Sequence, residues 1–157
     1  MNRISLDKQY PIMNKRKIIA SVFIIIALIL GAIFFSEIIF PKGLEGYFKT
    51  EYYGQFGPLA ICVELFIAGL YLFIAHPKTN FIMALFAFTV FLDLFFNIIG
   101  LITTLVPIYA LVIFLCCAVF ALWLAFSNAF SSGRISFAGA FGSFILGNAV
   151  ELFFNYL

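Results

Sequence analysis

The stretch Asn80-Phe-Ile-Met-Ala-Leu-Phe-Ala-Phe-Thr-Val-Phe-Leu-Asp93-Leu-Phe-Phe-Asn97-Ile-Ile-Gly100-Leu-Ile-Thr-Thr-Leu105 decides how the chain is read. It is long and apolar enough to cross a bilayer as a helix, which takes about 20 residues. Yet Asp93 stands near its middle, and Asn97 follows one helical turn later. An ionisable group at mid-membrane costs about 2.5–3.5 kcal/mol on insertion scales and more on an isolated helix. The rest of the protein therefore has to supply its surroundings.

Working outward, the whole chain has the same character. Of its 157 residues, 65% are hydrophobic and only 10% are charged, whereas a soluble domain is about 25% charged. No soluble fold of this length has an interior for so much apolar surface, so the solvent must be lipid. The net charge of +2 gives no basis for a nucleic-acid partner. Cys62, Cys116 and Cys117 all fall in apolar runs and include no Cys-x-x-Cys pair. They read as small hydrophobic residues, not as a disulfide framework or a metal site.

Five apolar runs divide the chain into an all-α, polytopic transmembrane bundle. Residues 1–17 form a polar, basic tail, in which Pro11 argues against a continuous helix. The first span covers Ile18–Phe40, too long for the apolar core of a secretory signal, and Pro41 ends it. Residues 41–56 mix charge with aromatics. Leu44, Tyr47, Phe48 and Tyr52 recur at helical spacing, as in a short interfacial helix with its rings at headgroup level; a cap over the bundle mouth is the alternative. The second span covers Gly57–Ala75, with Pro58 in its first turn, where the missing amide is harmless. The third is the opening stretch. The fourth covers Val106–Phe126 and the fifth Ile135–Leu157. Residues 18–157 thus make one bundle with no second domain. A four-span version would need one segment to be re-entrant.

Charge gives the orientation. With the N-terminus in the cytoplasm, the inner segments hold Arg3, Lys8, Lys15, Arg16, Lys17, Lys78 and Arg134, and the outer loops hold only Lys42 and Lys49. That is the positive-inside pattern.

Five polar residues inside the spans form the candidate site: Glu64, Asp93, Asn97, Asn148 and Glu151. At about 1.5 Å per residue, Asp93 falls near the midplane, Glu64 slightly outward, and the other three in the outer half. In the third span Thr89, Asp93, Asn97 and Gly100 share a stripe. In the fifth, Gly139, Ser143, Gly147 and Glu151 recur every fourth residue, a small-xxx-small packing stripe that ends on a carboxyl group. Ala60, Glu64 and Ala68 repeat the pattern in the second. No Lys or Arg lies at this depth, so three clustered carboxylates cannot all carry charge without a counter-ion. Either they are glue between helices, hydrogen-bonded to Asn97, Asn148, Thr89 and Tyr71, or they line a cavity where a proton, cation or basic ligand supplies the missing charge.

The remaining chemistry is sparse. His76 has no second histidine with which to hold a haem, Trp123 reads as an anchor, and Glu37 reaches water at the end of the first span. No phosphate-binding glycine loop, nucleophile elbow or metal-ligand cluster occurs, so neither an enzymatic activity nor a cofactor is expected.

Over about half its length the chain resembles the small DoxX-type membrane proteins. The resemblance lies in a first span, a short aromatic outer segment, and a second span carrying Glu ahead of small residues, here Gly57-Pro58-Leu59-Ala60-Ile61-Cys62-Val63-Glu64-Leu65-Phe66-Ile67-Ala68-Gly69-Leu70-Tyr71-Leu72. Family members usually have four spans and a Gly-x-x-Lys-like end to the first; here that position reads Phe35-Ser36-Glu37-Ile38-Ile39. The resemblance implies a bacterial cytoplasmic-membrane protein, in some members tied to thiol or quinone redox systems. Together these readings predict a non-enzymatic membrane protein that binds a small ligand, proton or cation at an acidic intramembrane site, with the role of an accessory subunit. The alternatives are a structural or immunity-type partner of a larger membrane complex and a proton-coupled transporter of a small cation. The expected partners are the lipid bilayer and another membrane protein or a second copy of the chain.

Overall fold

The computed structural model of the protein describes residues 3–102, 105–130 and 133–156, with side chains from Asn14 onward apart from those of Thr50, Glu51 and Tyr156. The side chains of Arg3 and Lys8, the pair Thr103–Thr104 and Leu157 therefore lie outside the described residues. Helix α1 runs Arg3–Glu37, followed by a 3-10 turn at Leu44–Phe48 and a short α2 at Thr50–Gly54. Then come α3 (Gly57–Ile74), α4 (Thr79–Ile98), α5 (Ile108–Phe126) and α6 (Phe137–Tyr156). Among the described residues there is no strand. Among the described residues, five segments are long and apolar enough to span a bilayer: Asn14–Glu37, Tyr52–Ile74, Thr79–Ile98, Ile108–Phe126 and Phe137–Asn155.

Three local expectations are corrected. Pro11 does not break the first helix, which is continuous from Arg3. Proline deletes one ladder bond, and the turns on either side keep theirs. At the other end α1 stops at Glu37, ahead of Phe40. Pro41 disfavours helical backbone in the residue before it, and the Ile39 amide bonds sideways to Gln55 Oε1 at 2.9 Å instead of continuing the ladder. The 41–56 segment is two short helical pieces, not one, because Lys49 between them is extended (φ −87°, ψ 140°). Leu44 and Phe48 point outward, while Tyr47, Tyr52 and Phe56 stack edge to face at 5.2 Å.

A fourth correction moves the site. The opening stretch is not one helix to Leu105; α4 ends at Ile98. Gly100 takes φ +72°, the left-handed conformation that glycine adopts without penalty. The Leu101 amide then reaches back to the Phe96 carbonyl at 2.8 Å, closing a Schellman-type cap. Asp93 is consequently not central. It stands five residues from the helix end, about 7.5 Å at 1.5 Å per residue.

Helix α4 is the hub, packing on α3, α5 and α6, and α1 lies against α3. Phe86 and Phe114 are fully buried where α4 meets α5, their rings 6.5 Å apart. Phe114 also meets Phe34 of α1 at 6.3 Å. Two glycines stand at close approaches between helices. A Cβ on Gly69 would stand 3.1 Å from the Ala20 carbonyl oxygen of α1, and one on Gly147 would stand 3.2 Å from the Thr89 amide of α4. Without a hydrophobic driving force between helices in lipid, such backbone proximity is what gives packing its strength.

Candidate functional site

Gly57 at the start of α3, Asp93 near the end of α4 and Glu151 near the end of α6 come together at one end of the bundle. They wall a small cavity of about 20 Å³ with Gly54, Pro58, Ile61, Leu105, Val106 and Asn155. That volume is room for about one water molecule. The short α2 packs on α6 and contributes Gly54 to the wall, so the 41–56 segment covers the cavity.

Asp93, Glu151 and Glu64 are buried, at 5%, 6% and 9% exposure. The Glu151 carboxyl is within electrostatic reach of both Asp93 and Glu64. Glu64 lies outside the cavity wall, deeper along α3. The Thr89 hydroxyl stands in side-chain hydrogen-bonding range of the Glu64 carboxyl and 3.1 Å from the Leu85 carbonyl. A hydroxyl has one proton and can donate to one of them at a time. Glu64 Oε2 is buried with no hydrogen-bond partner among the described residues. Among the described residues, no Lys, Arg or His lines the cavity. Among the described residues, no three of the His, Cys, Asp and Glu side chains are grouped closely enough to hold a metal ion.

A larger space of about 160 Å³, walled by Phe34, Glu37, Ile38, Gln55, Pro58 and Leu105, adjoins the first through their common residues Pro58 and Leu105. Glu37 is exposed.

The sequence-selected asparagines sit apart from this wall. Asn97 is half-buried on the last turn of α4. The Asn148 side-chain amide donates to its own helix, at the Phe144 carbonyl 3.0 Å away. The residue that sequence reasoning passed over is Asn155, whose amide donates to the Glu151 carbonyl at 2.8 Å and which lines the cavity. Its signal was present: the every-fourth-residue series Gly139, Ser143, Gly147, Glu151 continues to Asn155, whereas Asn148 is one residue off it, about 100° round the helix. Along that series, Ser143 is fully buried and Gly147 lies against Thr89 of α4. Gly139 belongs to the helix start, its amide donating to Ser136 Oγ at 3.0 Å, an N-cap bond.

Five bilayer-length apolar helices with a buried acidic cavity near one end define a multi-pass helical membrane protein. Compared with protein-family models, curated proteins and solved structures, the chain gives no match.

Proposed function

We propose that this is a non-enzymatic membrane protein whose acidic site takes up a proton or a small hydrated cation, acting as an accessory subunit in a bacterial cytoplasmic membrane. The observation that carries the reading is the convergence of Asp93 and Glu151, from different helices, on a water-sized cavity with no basic residue among the described residues of its wall. Charge of one sign gathered in low dielectric calls for a positive partner. The volume suits a single small species and is far below the several hundred Å³ of an organic ligand site. A space for about one water molecule favours a proton or a small cation keeping its water.

The orientation belongs to the same reading. Lys15, Arg16 and Lys17 lie in the first turn of the Asn14–Glu37 segment, and Lys78 and Arg134 lie in the two other connections at that end. On the positive-inside rule that end is cytoplasmic, and the acidic cavity opens to the opposite side.

Infrared titration of the carboxyl bands of the purified protein tests the proposal. If Asp93 and Glu151 share a proton, their titrations are coupled. Asp93→Asn is then expected to move the band of Glu151, and Glu151→Gln that of Asp93, with the fold retained on gel filtration. Independent titrations, each untouched by the other substitution, would refute the shared site. The structural reading, in which the acids only join helices, predicts loss of assembly in the same variants.

A further inference from the structure

The opposite end of the bundle holds a second cavity, of about 420 Å³, walled by Lys78, Asn80, Phe81, Arg134, Ile135 and Ser136 among others. We propose that it binds a phosphate anion, carried there by the headgroup of an anionic phospholipid. This inference is independent of the acidic site, with which it has no residue in common.

Three observations converge on it. The cavity carries two cationic side chains, Lys78 and Arg134, from two separate connections, and among the described residues no carboxylate stands in its wall. Both α4 and α6 begin beside it, so two helix N-termini add partial positive charge where an anion would sit. The wall is also fixed in place. The Asn80 amide donates to the Gly133 carbonyl at 3.2 Å, and the Ile135 amide to the Ala125 carbonyl at 2.9 Å, so Arg134 is held between two anchored neighbours. Gly133 itself takes φ +80°, and its amide is bound by Asn128 Oδ1 at 2.9 Å.

The remaining walls distinguish lipid phosphate from the free ion. Phe81 and Ile135 are partly buried apolar side chains at the edge of the cavity, and Phe137 just beyond is almost fully exposed. A dissolved phosphate makes no use of such surfaces, whereas an acyl chain descending from a headgroup lies against them. The position, at the ends of bilayer-length helices, is headgroup level. The volume falls in the range of pockets that hold small organic groups.

Native mass spectrometry of the full-length protein in detergent tests this. The protein is offered phosphatidylglycerol and diacylglycerol of identical chains. Preferential retention of phosphatidylglycerol is expected, reduced about 10- to 30-fold in the double variant Lys78→Ala/Arg134→Ala, given the strength of each surface cation toward anionic lipid. Lys78→Arg/Arg134→Lys should restore it. If phosphatidylglycerol is not preferred but inorganic phosphate raises the melting temperature in a Lys78- and Arg134-dependent way, the phosphate site stands and its source is the free ion. Equal retention of both lipids with no effect of phosphate would overturn the proposal whatever the variants do, as would full retention in a folded double variant.

Discussion

Gly69 and Gly31 lie on the same helix pair, and the structure assigns their replacement by alanine opposite signs. A Cβ at Gly69 would stand 2.8 Å from Ile24 Cγ1, 3.1 Å from the Ala20 carbonyl oxygen and 3.2 Å from the Ile24 nitrogen. Carbon–carbon contacts settle at about 3.5–4.0 Å, and two of these three atoms are backbone. To reach that spacing the Ile24 side chain would have to yield by about 0.7 Å and the two helices to part by roughly 0.3–0.4 Å. Such overpacking costs about 1–3 kcal/mol, against about 1 kcal/mol gained when alanine replaces glycine in a helix. The net expectation for Gly69→Ala is a loss of about 1 kcal/mol. At Gly31 the added Cβ would meet only Cys62 Cβ, at an ordinary 3.7 Å. Gly31→Ala should therefore keep the propensity gain of about 1 kcal/mol. Unfolding in mixed micelles, followed by circular dichroism, measures both. Melting temperatures are expected to separate by about 4–8 °C, at about 2–4 °C per kcal/mol for a chain of this size. If both variants moved in the same direction by the same amount, the α1–α3 spacing would not be set at Gly69.

Two further changes probe the fold directly. Gly100→Ala forces a Cβ into the left-handed region and should lower stability by about 1–2 kcal/mol, while Ala75→Gly, at φ 55°, should raise it by up to about 1 kcal/mol; the same unfolding assay reads both, and equal effects would discount the two caps. Phe114→Ala removes the ring that joins Phe34 of α1 to Phe86 of α4 and should cost about 3–5 kcal/mol; a melting temperature within 2–4 °C of the parent, the span of about 1 kcal/mol, would mean that this contact does not hold the bundle.

The sequence by itself determined the fold class and the number of crossings. Those depend on the length of each apolar run, which is local, and on the bilayer, which admits only structures that satisfy their own backbone hydrogen bonds. Where a run stops was less legible. Hydropathy is blind to backbone conformation, so Ile99-Gly100-Leu101-Ile102 reads as a continuing span although Gly100 turns left-handed and shortens α4. That one dihedral carries Asp93 from the expected midplane to within two turns of the helix end. Span positions also leave each helix free to rotate about its axis. Only the packing of α3, α4 and α6 decided that Asp93 and Glu151 face one cavity with Asn155 beside them, while Asn148 turns back on its own helix. Rotation is set by close contacts such as Gly147 against Thr89, and these are properties of two helices together, not of either one's residues alone.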